Sequence, residues 1–529
     1  MPRTPRRPPE QAPDPDAVLS RFGAATQDWF RGAFDRATPA QLGAWDAIGA
    51  GEHTLVVAPT GSGKTLAAFL SAIDALSAEP APPDPLLRCR VLYVSPLKAL
   101  AADVERNLRS PLAGIRQASA RLGRPVPDIT VAMRSGDTSA QDRRLFARAP
   151  ADILITTPES LFLLLTSRSR EALRGIQTVI VDEVHAVCAT KRGAHLAVSL
   201  ERLDALLPRP AQRIGLSATV RPIEEAATFL GGAQPVRIVA PPPSKTFDLS
   251  VVVPIEDMSA IGEPTGDLAG PAAGGQNRAS IWPHVEERVL DLIEAHRSTI
   301  VFANSRRLAE RLTARLNELE TERRFPAGPA DGDDDADGPV PAGREGPPRP
   351  KRPPAQLMGE TGAGGGFEAI IARAHHGSVS REQRTLVEEE LKSGRLPAVV
   401  ATSSLELGID MGAVDLVVQV EAPPSVAAGL QRVGRAGHQV GAVSRGVIFP
   451  KYRGDLVECA VVAERMRAGA IEQMRYPRNP LDVLAQHVVA MASMDVVTVD
   501  EVEDLVRRAA PFAGLPRSAL EATLDMLSG

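Results

Sequence analysis

Ala58-Pro59-Thr60-Gly61-Ser62-Gly63-Lys64-Thr65 stands between the apolar run His53-Thr54-Leu55-Val56-Val57 and the helical pattern Leu66-Ala67-Ala68-Phe69-Leu70. A β-branched run, a glycine turn and a helix predict strand, loop, helix, the setting of a phosphate-binding loop. Such a loop aims backbone N–H groups at an anionic chain, and the helix N-terminus adds about half a positive charge. Thr60, Gly61, Ser62 and Gly63 form that cradle, and the two glycines keep the approach clear of side chains. Lys64 is placed to reach the β and γ phosphates and the Thr65 hydroxyl to bind Mg²⁺. An ordinary glycine turn is the alternative, and by itself the loop says only nucleotide.

Outward from the loop, strand and helix patterns alternate. Arg90 to Ser95, Asp152 to Thr156, Val179 to Asp182 and Ile214 to Ser217 read as short buried strands, and Leu97 to Leu108 as a helix. Alternation of this kind predicts a parallel sheet covered by helices, with ligands at the carboxyl ends of the strands. Asp182-Glu183-Val184-His185 ends one such strand. There Asp182 can hold the Mg²⁺ shell while Glu183 polarises the attacking water; a solvated acidic loop is the bland reading. Gln41, about a helix upstream of the loop, carries the donor and acceptor that an adenine edge needs, although Thr38-Pro39 is also a common helix start. Ser95 to Leu100 and Thr156 to Leu161 place hydroxyls and N–H groups at helix starts, where they can hold backbone phosphates or simply cap helices. Ser217-Ala218-Thr219 reads alone as a plain turn.

The chain has 529 residues, enough for two or three domains, and its 43% hydrophobic and 24% charged residues are ordinary for a globular protein. Net charge is −5, and residues 320–366 hold nine acids against six bases, so the remainder sums to −2 and gives no argument for nucleic acid from charge. Three dispersed cysteines fit neither a zinc site nor a disulfide framework and favour a reduced, cytoplasmic setting. Residues 1 to 16 lack the apolar core of a signal peptide, and no run is long enough for a membrane span.

Beyond Pro241-Pro242-Pro243 a second domain is expected, with a strand at Thr299 to Asn304 and a helix from Ser305 to Leu319. Residues 320–366, rich in Pro, Gly and Asp, read as a disordered insertion. Asp333, Asp335, Asp337 and Gly338 begin like a calcium loop, but Arg344 stands where the bidentate Glu belongs. His375-His376 reads as a capped strand end, since no third metal ligand has suitable spacing. Val400 to Asp410 and Gln431-Arg432-Val433-Gly434-Arg435-Ala436-Gly437-His438 follow. Arg432 and Arg435, three apart, are expected on one helix face, where they could reach a γ-phosphate. Past Pro480 the pattern gives three helices, with capping boxes at Thr498-Val499-Asp500-Glu501 and Ser518-Ala519-Leu520-Glu521.

In this order the motifs resemble superfamily 2 helicases, and most closely the bacterial large helicase-related (Lhr) family, through residues 182–185, 403–410 and 431–438. The resemblance implies two tandem RecA-like parallel-sheet domains followed by a partial helical winged-helix domain. The expected divisions are a disordered leader at 1–20, an ATP-binding domain at 21–240, a second domain at 241–455 and the start of a winged-helix domain, apparently truncated, at 456–529. It implies an ATP- and Mg²⁺-dependent motor that moves 3′ to 5′ on single-stranded DNA and displaces DNA or RNA from a duplex, in DNA repair. Carried over residue by residue, Gln41 reads adenine, Lys64 and Thr65 hold phosphate and metal, Asp182 and Glu183 catalyse, and Ser217 and Thr219 couple hydrolysis to motion. Asp410 contacts ribose, Arg435 is the arginine finger, and Gln431 and Arg432 assist it. Lys98, Thr157, Asn304, Arg306 and Thr402 match strand-contacting positions. His438 stands where many relatives outside the family have a third arginine. An RNA-remodelling ATPase, or a nucleotide-gated clamp that does not unwind, remains open.

Overall fold

The computed structural model describes residues 14–242, 245–255, 258, 281–325, 369–406, 412, 414–437 and 442–529. The leader up to residue 13, residues 326–366 of the insertion, Asp410 and His438 lie outside them. Two compact units emerge.

The first unit holds a sheet of β1 (Thr54–Val57), β2 (Val91–Val94), β3 (Val131–Arg134), β4 (Ile153–Thr156), β5 (Thr178–Val181), β6 (Gln212–Ser217) and β7 (Arg237–Val239). Their order is β3-β4-β2-β5-β6-β1-β7, every pair parallel. Strands β1, β2 and β4 are buried at every residue while edge strands β3 and β7 are not, as helices on both faces of a parallel sheet require. The two-residue period sorts the core: Leu55, Leu92, Leu154 and Val179 face one helical layer, and Val56, Tyr93, Ile155 and Ile180 face the other.

The second unit holds β8 (Thr246–Val251), β9 (Thr299–Phe302), β10 (Ala372–His375), β11 (Ala398–Ala401), β12 (Leu416–Val420) and β13 (Val443–Phe449). Their order is β10-β11-β9-β12-β13-β8, again all parallel. Among the described residues no helix is long and apolar enough to cross a membrane.

The C-terminal helices Leu481–Ala492, Val499–Arg508 and Arg517–Ser528 belong to the first unit. Leu484, Val506, Phe512 and Leu520 enter the same core layer as Leu164, Leu200 and Leu203 from the sheet-bearing part of that unit. Polar contacts fix the docking: the Met474 N–H donates to Arg221 O at 2.6 Å, and Arg508 Nε lies 3.4 Å from Glu201 Oε2. His487, fully buried, lies with Nε2 at 3.1 Å from His195 O.

Several expected boundaries move. Pro15–Leu19, placed in the leader, is a short helix with Val18 and Leu19 buried. The helix expected to stop at Leu108 runs Lys98–Arg121 through Pro111, a buried residue on its apolar face. The helix Arg306–Arg324 continues past the expected start of the insertion at 320, because Glu320 and Thr321 are buried against its own unit. The division at 455/456 falls inside the helix Arg453–Arg467, whose Cys459 and Ala463 pack with Ile448 of β13. Thr498 and Glu501 form the expected capping box, but Ser518 does not cap: Pro516 takes the N-cap position and Ser518 lies within the helix.

Candidate active site

The carboxyl end of β1 opens into the glycine loop, with Gly61 at φ 82° and Gly63 at φ 78°, the left-handed region that glycine enters without strain. The helix Lys64–Ala78 follows directly. Lys64 is buried, and its Nζ donates to Ala58 O at 2.6 Å and Pro59 O at 2.9 Å, inside the loop it serves. Ser62 Oγ donates to Pro59 O at 2.7 Å. Thr65 lies in the first turn of that helix, and Thr60 in the loop ahead of it.

Gln41 closes a capping box: Thr38 N donates to Gln41 Oε1 at 2.9 Å, and Gln41 N donates to Thr38 Oγ1 at 3.2 Å. Its Nε2 points to Gly63 O at 3.5 Å, and Thr38 Oγ1 donates to Ser62 O at 2.8 Å. A Cβ at Gly63 would come within 2.5 Å of Gln41 Nε2. The helix-start reading holds, and that helix start is also a tether on the phosphate loop.

Register brings the acids to the same edge. Strand β5 pairs with β6, β6 with β1, and Ala58 N donates to Ser217 O at 3.1 Å. Asp182 Oδ1 accepts from Glu183 N at 2.8 Å, and Oδ2 accepts from the Tyr93 hydroxyl. Burial first, and the Glu183 charge second, push the Asp182 carboxyl up to about 7. Burial and Asp182 hold the Tyr93 phenol well above its ordinary range, so it remains a donor.

Glu183 sits at φ 46°, ψ 48°, a left-handed conformation that costs a non-glycine residue energy. Its buried Oε2 has no hydrogen-bond partner, 3.4 Å from His185 Nδ1. His185 Nδ1 accepts from Ala218 N at 3.2 Å, and Ser217 Oγ lies 3.2 Å away. Burial lowers the affinity of the ring for a second proton, and its Nε2 is buried without a hydrogen-bond partner. This bridge joins the acidic motif to Ser217, while Thr219 is exposed. A glycine cradle, a lysine within it and a buried carboxylate oxygen without a partner fit a nucleotide phosphate chain with Mg²⁺ and a water. Among the described residues no cluster of three His, Cys, Asp or Glu side chains forms a separate metal cage.

The strand-contacting candidates of the first unit diverge. Lys98 is exposed and pairs with Asp137 at 2.6 Å. Thr157 is buried, and its hydroxyl caps the helix Pro158–Leu165 by accepting from Ser160 N at 3.4 Å, the bland reading of that stretch.

In the second unit the two arginines separate. The helix Val426–Val433 ends before Arg435, so the expected shared helix face is absent: Arg435 lies in the following turn. It is buried, and its Nη2 donates to Glu406 O at 2.6 Å. Arg432, also buried, turns into its own unit, donating from Nε to Glu406 Oε1 at 2.6 Å and from Nη1 to Asn304 Oδ1 and Gln419 Oε1, each at 2.9 Å. Glu406 thus anchors one arginine through its carboxylate and the other through its carbonyl. Gln431 is half-buried on the same helix. Asn304 Nδ2 donates to Ala422 O at 2.7 Å, and Arg306 Nη1 donates to Ser378 Oγ at 2.8 Å. Thr402 N donates to His375 O at 3.3 Å. His375 and His376 take separate partners, Ser404 with Glu388 and Glu310.

Sequence reasoning gave no role to Tyr93, Gln419 or Glu406. Only Glu406 carried a signal, as the lone acid in Ser404-Leu405-Glu406-Leu407, four residues ahead of Asp410.

A family model described as DEAD/DEAH box helicase matches residues 38–226, one described as helicase conserved C-terminal domain matches 365–439, and one described as large helicase-related protein, winged helix domain, matches 464–529. The chain is 62% identical over 514 residues to the Lhr helicase/probable uracil glycosylase of Mycolicibacterium smegmatis, covering 97% of this chain and 32% of that one. It is 40% identical to the ATP-dependent helicase Lhr-Core protein 2 of Thermococcus barophilus, over 95% of this chain and 52% of that one. A solved structure of the Mycobacterium smegmatis helicase Lhr bound to ssDNA and AMP-PNP is similar at a TM-score of 0.81 and 60% identity, over 97% of this chain and 58% of that one. The chain thus spans from just under a third to just over half of the length of these relatives.

Proposed function

The chain belongs to the Lhr helicase family, and from that membership we propose that it is an ATP-driven motor core that moves 3′ to 5′ along single-stranded DNA and displaces a paired DNA or RNA strand, in DNA repair. The observation that carries the ATPase part is the convergence, at the carboxyl ends of β1, β5 and β6, of the glycine cradle, Lys64, and a Glu183 oxygen with no hydrogen-bond partner. The strand part is supported by family membership and by the relative solved with ssDNA.

In this reading Lys64 exchanges the Ala58 and Pro59 carbonyls for phosphate oxygens, a swap of one set of acceptors for better charged ones. Mg²⁺, held by Thr65 and Asp182, supplies neutralisation of phosphate charge when bound. Glu183 Oε2 accepts the proton of the attacking water, and the buried site keeps other water from competing. Gln41 and Asp410 orient adenine and ribose, and Arg435 compensates charge on the γ-phosphate, a role worth about 10³ to 10⁵ in rate. Gln431 assists Arg435, and Arg432 acts by holding Glu406, the residue on which Arg435 rests. His185 passes the state of Glu183 to Ser217, and Ser217 and Thr219 carry it toward motion of the strand. Lys98, Thr157, Asn304, Arg306 and Thr402 hold strand phosphates without reading sequence, Lys98 by exchanging Asp137 and Thr157 by giving up its cap on Ser160 N.

The test is ATP turnover compared across single-stranded DNA, single-stranded RNA and no strand. Greater stimulation by DNA supports the reading. Greater stimulation by RNA replaces it with an RNA-remodelling ATPase, and strand binding without turnover replaces it with a clamp.

A further inference from the structure

Among the described residues the aromatic side chains counted as exposed are Phe34, Phe325 and Tyr452. Phe34 stacks on Phe30, ring centroids 5.1 Å apart, and Phe325 ends the helix Arg306–Arg324. Tyr452, 50% exposed, lies just past the carboxyl end of β13, the edge where ligands gather in parallel sheets.

The spur that carries Tyr452 is fixed. Buried Asp455 accepts from Lys451 N at 2.8 Å through Oδ2 and from Ala422 N at 3.2 Å through Oδ1. Lys451 Nζ donates to Glu421 Oε1 at 2.8 Å, and Glu421 Oε2 in turn accepts from Asn304 Nδ2 at 3.3 Å. Glu421 makes both contacts from a left-handed backbone at φ 69°. One edge of the Tyr452 ring rests on Gly454, where a Cβ would come within 3.0 Å of Tyr452 Cε2, and Lys451 Nζ stands 5.5 Å from the ring centroid.

Arg453, the next residue, opens the helix Arg453–Arg467 and is exposed, with no ion pair to a described carboxylate. A cation at the positive end of a helix is disfavoured. Buried Asp455 in the same first turn offsets part of that penalty, and an anion beside exposed Arg453 removes more of it. A half-open ring on a rigid spur two hydrogen bonds from Asn304, next to an exposed cation that makes no ion pair to a described carboxylate, is the combination that grips a single nucleic-acid strand without reading sequence, stacking a base and holding a phosphate.

We propose that Tyr452 is a base-stacking platform for the bound strand and that Arg453 holds an adjacent phosphate. The proposal rests on the strand-binding reading above and adds to it a site on the second unit. Its test is the affinity of the whole chain for a fluorescein-labelled oligothymidylate, read by anisotropy across a salt series with a non-hydrolysable ATP analogue. Tyr452→Ala weakens binding about tenfold, Tyr452→Phe leaves it within about twofold, and neither changes the salt slope, because the ring contributes stacking alone. Arg453→Ala lowers that slope by about 0.7. Unchanged binding of a fluorescent ATP analogue by each variant shows that the fold is intact. Tyr452→Ala binding with wild-type affinity overturns the proposal. A wild-type chain that binds no oligothymidylate overturns the strand-binding reading itself, and that result needs no variant to be recognised.

Discussion

Glu183 combines a strained backbone with a buried carboxylate oxygen that no donor satisfies, a cost tolerated where chemistry needs an acceptor. Replacing it with Gln keeps size and burial but removes the base. Glu183→Gln is therefore expected to cut ATP turnover about 10² to 10⁴-fold, with affinity for a fluorescent ATP analogue unchanged. Turnover at the wild-type rate would contradict the assignment of the base. Glu406 makes a second prediction. With its carboxylate gone, buried Arg432 loses its charge partner and keeps Asn304, Gln419 and the face of the Phe302 ring. Glu406→Ala is expected to destabilise the second unit by about 3 kcal/mol, measured by urea unfolding followed through Trp282. The local motifs made Lys64, Asp182 and Glu183 legible, because loop, strand and helix are consecutive in the chain. The partners that complete them were not legible. Tyr93 meets Asp182 only because β2 pairs with β5, and Arg432 turns inward only because Glu406 and Gln419 arrive from elsewhere in the fold.

At the scale of elements, one pattern gave two outcomes. Thr498-x-x-Glu501 and Ser518-x-x-Glu521 look alike in sequence, yet only the first is a capping box. Pro516 starts the last helix two residues before Ser518, and Glu521 instead accepts from Arg517 Nε at 2.9 Å. Thr498→Ala is accordingly expected to cost about 1 kcal/mol and Ser518→Ala less than about 0.5, compared by urea unfolding of the first unit. Equal losses would mean that both positions cap. The helix expected to stop at Leu108 instead runs on through Pro111. A proline inside a helical pattern reads as its end, but the apolar face formed by Leu100, Val104, Leu108 and Ile115 continues through it, and burial of that face outweighs one lost hydrogen bond. In the first sheet β1, β2, β4, β5 and β6 were legible as apolar runs, and in the second β9 was; β12, buried at every residue in the middle of its sheet, and its neighbour β13 were not read as strands. The edge strand β8 and the half-exposed β3 were not, because their burial is intermittent.

Over the whole molecule, the feature that sequence order concealed is that the C-terminal helices share a core with the ATP-binding half, more than two hundred residues earlier in the chain. Phe512→Ala is expected to destabilise the first unit by about 3 to 5 kcal/mol, although Phe512 lies far along the chain from the phosphate loop. The same junction makes stability depend on pH. Burial, with His195 and Arg202 facing the ring, holds His487 well below its ordinary 6.5. The folded state keeps the ring neutral while the unfolded chain takes up a proton below about 6.5, so its contribution is complete above that pH and is lost as pH falls. His53, His185 and His195 are lowered in the same direction. Asp182, pushed up to about 7, acts in the opposite direction over the same range. The change in urea midpoint between pH 7 and pH 5.5, followed through Trp29 and Trp45 in a Trp282→Phe background, is therefore expected to be less unfavourable in His487→Asn than in the parent; an identical change would contradict the assignment to this junction.

On the proposed function, ATP hydrolysis in this chain is coupled to a nucleic-acid strand. Steady-state ATP turnover by the wild-type chain and Arg435→Ala, each with and without single-stranded DNA, meets that coupling most directly. Turnover is expected to rise with DNA in the wild type and to fall about 10³-fold or more in the variant. Turnover indifferent to DNA, or undiminished in Arg435→Ala, would contradict it.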